Sequence, residues 1–372
     1  MKLTGKLFFS LFWLGIFCSL ALSLPAKGQT AAANEKFRLI HSDKLFLSNV
    51  NGENILELFG NVHFFYGNTE FYSNRATIFN TQKIARLIGN VKVSNDTINV
   101  RADSISYYRI PDKLSLGGNV IITEQKKKGL FNTFNCNAGS YDKANDIVTA
   151  TGKVTGYSEE EKVRGSCNYA YWDRKNGYGY MIEQPELWSE DKDSLNIKSG
   201  KMEFFDADHK VIATFEVQAK TKDYLVTSDF LLYFLKEDKA IFQGEPRFDS
   251  DFAEAEATEF YLYLRDRKLS GAELKDSCIV YFAEERGKPK INWVKADFIT
   301  MNFNDDYLKD FTAENQVTYY YKQEKTEEKD FFSNNAAGDF LSALFNSNGK
   351  LDIMHMRNKI TGVYRFENTK TK

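Results

Sequence analysis

Proline is scarce in this 372-residue chain, with five residues in all. So few prolines leave long ladders of backbone hydrogen bonds unbroken. Histidine is rarer still: four residues, at 41, 63, 209 and 355, none with a second ligand at a metal-binding interval. An excess of one charge is missing as well. Lysine and arginine number 49 against 51 acidic residues, a net charge of −2, so bulk electrostatics seeks neither nucleic acid nor an anionic membrane surface. There is no Gly-rich phosphate loop, no Gly-x-Ser-x-Gly elbow and no Pro/Gly/Ser-rich linker. No segment of normal helix length keeps a 3.6-residue apolar period, and beyond Leu24 no apolar run is long enough to span a bilayer. Acidic clusters such as Asp206-Ala207-Asp208-His209 and Asp249-Ser250-Asp251 fall where hairpin turns are due, and turns favour Asp. These absences leave nothing that singles out acid–base, nucleophilic or metal chemistry.

What the chain does have is aromatic and β-branched. Phe (31) and Tyr (20) are abundant, and Val, Ile and Thr recur in short alternating bursts that suit a pleated surface. One tripeptide is written three times at a fixed step. Gly60-Asn61-Val62, Gly89-Asn90-Val91 and Gly118-Asn119-Val120 are 29 residues apart, and Gly152-Lys153-Val154 follows 34 later. A period this regular means a small unit is being stacked, because one unit alone cannot bury its own apolar face. Gly-Asn tolerates positive φ, which predicts a turn there, with the Val starting an extended segment.

One period runs as follows. Val91-Lys92-Val93 alternates, Ser94-Asn95-Asp96 turns, and Ile98, Val100 and Ala102 share one face of a returning strand. Asp103 opens a segment through Tyr107, Arg109 to Lys113 is a polar turn, and Leu114 and Leu116 lead to the next Gly-Asn. The small residue at Ala102 recurs near Ala76, Ala138, Cys167, Ser199, Ser228, Ala257, Ala296 and Ala337. The expected fold is all-β: a long stacked antiparallel β-roll of nine or ten repeats, each about 29 to 34 residues and about two strands. Val62, Phe64, Val91, Val93, Ile98, Val100, Val120 and Ile122 lie on its inward face, and His63, Lys92, Asn99 and Arg101 on the other. That inside is either a plain filled core or an apolar trough.

Lys2 and Lys6, the apolar run Leu7 to Leu24 and the small residues after it read as a secretory signal peptide within residues 1–33. An uncleaved membrane anchor is the alternative. Clear repeats fill 34–180, and 181–372 continues the roll with divergent ones. Three cysteines remain beyond the leader. Cys136 and Cys167, 31 residues apart at equivalent points of successive units, either form a disulfide in an oxidising compartment or simply fill the small-residue row. Tyr169, Tyr171, Trp172, Tyr178 and Tyr180 bracket the hairpin signal Asn176-Gly177, which predicts cross-strand aromatic pairs.

Gly-Asn-Val, the alternating strand and the small-residue-plus-Asp step (Ala102-Asp103, Ala296-Asp297) together resemble the OstA-like family. The opening Phe37 to Leu45, leading to Leu58-Phe59-Gly60-Asn61-Val62-His63-Phe64, is similar to that family's usual start, and the likeness is clearest from Phe37 to Tyr171. The family includes the periplasmic lipopolysaccharide-transport bridge protein and the N-terminal domain of its outer-membrane partner. The resemblance implies a β-jellyroll or β-taco, a half-open roll, greasy inside, working without a cofactor and without enzymatic chemistry. Its expected ligand is lipopolysaccharide or a related glycolipid, held by acyl chains in the trough and passed toward the outer membrane. Its expected partners are other OstA-like rolls, or copies of itself, joined head to tail through terminal strand edges. Two other classes stay open: a secreted β-solenoid scaffold or adhesin with a filled core, and a polysaccharide-degrading β-solenoid enzyme.

Overall fold

The computed structural model describes residues 37–366 except 128, 161, 191–194, 266–267, 284–286, 305–306, 324–330 and 347–350. The expected leader, 1–33, lies outside the described residues. Every described pairing is antiparallel and no helix occurs among the described residues, so the chain is all-β. In chain order the strands are β1 (Phe37–His41), β2 (Lys44–Val50), β3 (Glu53–Tyr66), β4 (Thr69–Phe79), β5 (Ile84–Ser94), β6 (Ile98–Tyr108), β7 (Lys113–Lys127), β8 (Leu130–Asp142) and β9 (Ile147–Ser158). Then come β10 (Val163–Asp173), β11 (Tyr178–Ile182), β12 (Glu186–Ser189), β13 (Asn196–Lys198), β14 (Lys201–Phe205), β15 (Lys210–Lys220), β16 (Tyr224–Phe234), β17 (Lys239–Gln243) and β18 (Arg247–Ser250). The last are β19 (Ala253–Glu256), β20 (Glu259–Arg265), β21 (Lys268–Phe282), β22 (Asn292–Asn304), β23 (Tyr307–Gln323), β24 (Phe332–Phe345), β25 (Leu351–Arg357) and β26 (Thr361–Phe366).

Two compact units divide these strands. The first holds the residues up to 190 with Lys201–His209, and the second holds 195–200 with Lys210 onward. In the first, β3 to β10 form a meander, each strand pairing with the next; β1 and β2 both pair with β3, and β11 and β12 both pair with β10. In the second, the same plan runs through β15, β16 and β21 to β24, with β17 and β18 both on β16, and β25 and β26 both on β24. Where two short strands share one long partner, a bent strand has been broken at its bend. That is why the elements outnumber the two per repeat expected from the sequence.

The bend is the main correction to the sequence reading. Gly-Asn does not end one strand and start another. It sits inside β3, β5 and β7, where the pairing register slips, as between Ile88 and Val91. Gly89 has φ 79° and Asn90 φ 48°. Two consecutive left-handed residues insert a bulge and fold the strand sharply without reversing it. The reversals lie elsewhere, in turns such as 109–112, where Asp112 is itself left-handed (φ 51°) and accepts the Tyr107 hydroxyl at 2.8 Å. Tyr141 and Asp146 repeat that link one hairpin later, at 2.9 Å.

Mid-strand left-handed pairs recur ten times among the described residues. Five begin with glycine (60, 89, 118, 152, 244). The others are Glu183-Gln184, Phe215-Glu216, Asp276-Ser277, Asn315-Gln316 and Asn358-Lys359. Within each unit they line up as a crease, with one arm of every strand on either side. Buried side chains alternate on one face of both arms: Leu58 and Val62 in β3, Leu87 and Val91 in β5, Leu116 and Val120 in β7. In the ladder these strands have neighbours only beside them. Their buried face is therefore covered by the opposite arm, and the core lies between the two arms.

Candidate functional site

The sequence points to the space between the arms. In the first unit one register row on the Val side of the crease joins Val93, Val100, Ile122, Phe134, Gly156 and Gly165 across β5 to β10. The row nearer the crease holds Val62, Ser73, Val91, Ala102, Val120, Cys136, Val154 and Cys167, aliphatic apart from Ser73 and the two cysteines. Seven of the eight candidate lining residues (Val62, Phe64, Val91, Ile98, Val100, Val120, Ile122) are buried, and Val93 is half-buried. Ile122 is 0% exposed and Phe134 1%, the phenyl ring standing in the row with two glycines. The inside is filled by the protein's own side chains, so any guest must part the arms.

A third row, nearest the hairpin tips, changes character. Glu124, Asn132 and Ser158 are successive register partners there, all buried, and Ser189 continues them through Val163. Sequence reasoning stopped at Ile122 and missed this polar margin. The same period of two, carried on from Ile122 to Glu124, places it inside.

The crease has its own chemistry. Asp43, Asn74, Asp103, Asn137 and Asp229 each sit against the crease glycine of the following strand, at Gly60, Gly89, Gly118, Gly152 and Gly244. Asn119 Nδ2 donates to Asp103 at 2.9 Å, Asn61 Nδ2 to Asp43 at 3.3 Å, and Gln316 Nε2 to Asp297 at 3.1 Å. Hydrogen bonds from the His41 ring and then from Asn61 hold the Asp43 carboxyl below its usual range. The small-residue-plus-Asp step and the Gly-Asn step, read separately in the sequence, are thus two sides of one contact.

Cys136 and Cys167 do not pair. Both are free thiols, Cys136 on β8 and Cys167 on β10, with β9 between them. One repeat contributes two strands, so equivalent points of successive repeats are never adjacent in the ladder. Burial pushes both thiols, and that of Cys278, up to about 12. The aromatic cluster splits by face: Tyr171 stacks on its register partner Tyr180 at 5.1 Å, whereas Trp172 is buried near Phe204 and faces Gly179 across the ladder. Asp206 to His209 forms a turn between β14 and β15, closed by His209 N–H donating to Asp206 O at 3.2 Å. Among the described residues no three His, Cys, Asp or Glu side chains are placed to hold a metal ion.

The outermost strands are apolar and exposed. Phe46, Leu47 and Val50 of β2 face solvent, Leu47 at 77%, as do Val363, Tyr364 and Phe366 of β26, the last at 70%. Among the described pairings, β2 pairs only with β3, and β26 only with β24.

Bent antiparallel strands closed over an apolar inside face, with free edges at β2 and β26, define a β-roll of the jellyroll type. Residues 34–158 match the family model described as OstA-like protein. No curated protein matches the chain. Among solved structures it is similar to LptH of Pseudomonas aeruginosa, titled the LptA-homologous periplasmic component of the conserved lipopolysaccharide transport device. That alignment is 12% identical over 49% of this chain and 92% of the other, with a TM-score of 0.16.

Proposed function

We propose that this chain is a non-enzymatic periplasmic carrier that takes lipopolysaccharide or a related glycolipid by its acyl chains and passes it toward the outer membrane. The observation that carries this reading is the continuous apolar row between the arms of the OstA-like segment, Val93 through Phe134, lying beside a bulged crease about which the arms can part. Each methylene buried there contributes roughly 0.8 kcal/mol, so several acyl chains suffice for affinity without a specific contact. The exposed strands β1, β2 and β26 fit head-to-tail pairing with other OstA-like rolls, since an unpaired apolar edge is a template for another strand. Lipid extraction from the purified chain tests the carrier reading. Recovered glycolipid in stoichiometric amount supports it, and its absence from protein prepared without detergent counts against it.

One observation favours a second reading. Ile122 and Phe134 pack the inside to near-zero exposure, which also suits an envelope scaffold with a permanent core. Such a scaffold binds no lipid and leaves the arms closed under all conditions.

A further inference from the structure

In the second unit the inside face turns polar at the margin of the arm made by β22, β23, β24 and β26. Asn292 is 0% exposed; its Oδ1 accepts the Lys322 amide at 2.7 Å, and its Nδ2 has no partner. Asn334 is 3% exposed; its Nδ2 donates to the Tyr319 hydroxyl, and its Oδ1 has no partner. Each lies two residues before a buried apolar position of the same face, Val294 and Ala336 respectively. Asn334 is the register partner of Tyr321, and Asn292 is anchored to the next residue of that same strand. The two carboxamides therefore flank β23, one strand to each side, about 9–10 Å apart at the backbone. Tyr364, the partner of Asn334 on the exposed strand β26, adds a hydroxyl hydrogen-bonded with Tyr319.

One buried donor and one buried acceptor are left over in the same row, on either side of Tyr321, with Val294, Tyr319 and Ala336 in the row beside them. Buried polar groups in folded proteins are satisfied as a rule, and each exception asks what satisfies it. A secondary amide matches both, because it carries an N–H and a carbonyl on opposite sides. We propose that this margin recognises the amide linkage of an N-acylated glycolipid. The ligand N–H donates to Asn334 Oδ1 and its carbonyl accepts from Asn292 Nδ2. The acyl chain then runs over Val294, Tyr319, Ala336 and Val317 toward the crease, and the sugar stays on the side of Tyr364. An ester offers acceptors only and leaves Asn334 Oδ1 facing another lone pair.

This inference rests on the carrier reading, since the chain must enter for its linkage to reach the margin. The test compares N-palmitoyl glucosamine with 2-O-palmitoyl glucose, two lipids that differ in linkage alone, by direct binding to the purified chain. The amide lipid is expected to bind roughly tenfold or more tightly. Asn334→Leu and Asn292→Leu, each verified as folded by circular dichroism, are expected to bring the two lipids within about twofold of each other through loss of amide-lipid affinity. Equal affinities in the unaltered protein overturn the amide site while leaving lipid carriage standing. A preference that survives in both folded variants overturns it as well. If neither lipid binds, carriage fails and the site with it. Should the variants not fold, the comparison on the unaltered protein decides alone.

Discussion

Asp103 of β6 sits directly against Gly118 of β7: a Cβ built on Gly118 falls 2.7 Å from Asp103 Cβ, and Asn119 donates to the same carboxylate at 2.9 Å. The glycine therefore answers two demands together, a left-handed backbone (φ 72°) and a side chain overhead. Gly118→Ala is expected to destabilise the first unit by about 2–3 kcal/mol, through left-handed strain and displacement of Asp103. Urea or thermal unfolding followed by circular dichroism measures it. A loss below about 0.5 kcal/mol contradicts the close approach.

The opposite change is expected at Glu216, an exposed non-glycine residue at φ 50°. Glu216→Gly relieves the left-handed strain while losing no buried contact. It is expected to stabilise the second unit by about 0.5–1 kcal/mol, read from the same unfolding curves.

How much of this was legible in the sequence follows from those two residues. At 60, 89, 118 and 152 the crease announces itself as glycine, so the period and the all-β class could be read directly. At Glu183 and Phe215 the same backbone is imposed on residues with no left-handed preference; Asp276, Asn315 and Asn358 tolerate it, but with no glycine beside them nothing local marks the crease. The alternation that puts Val91 and Ile122 inside was readable because side-chain direction has a period of two. The polar margin at Asn132, Asn292 and Asn334 was not, because a polar residue at an alternating position reads as the end of the inward run, although the same period of two places it inside. Of the two readings of Cys136 and Cys167, the structure agrees with the small-residue row, because spacing by one repeat skips a strand.

Packing between the arms makes its own prediction. Phe134→Ala removes a ring that is 1% exposed and is expected to cost about 3–5 kcal/mol, whereas Lys92→Ala on the outer face stays within about 0.5 kcal/mol. Near-equal effects would mean that the inward face is misassigned.

Asp206 gives a pH dependence with a definite sign. Burial pushes its carboxyl up to about 6, above the unfolded value near 3.8, so the folded state favours the protonated form. Its contribution to stability is complete below about pH 4 and is lost as the pH rises through about 6. Asp206→Asn is expected to flatten stability between those limits and to raise it at pH 7 by about 1 kcal/mol, after allowance for solvent screening of a half-exposed group. A variant with an unchanged pH profile contradicts this assignment.

The three buried thiols should be silent in the native protein. A thiol-specific reagent is expected to label none of Cys136, Cys167 and Cys278 before unfolding and all three afterwards, with or without reductant. Two fewer thiols without reductant would mean that the bridge forms after all.

Lipid carriage itself is decided by photocrosslinking in cells from a reactive residue placed at Phe64 or Val93, inside, against one at Lys92, outside. Glycolipid adducts from the two inside positions and none from Lys92 are what a roll that opens to acyl chains produces. Adducts confined to Lys92, or absent from all three, would mean that the arms stay shut on a permanent core.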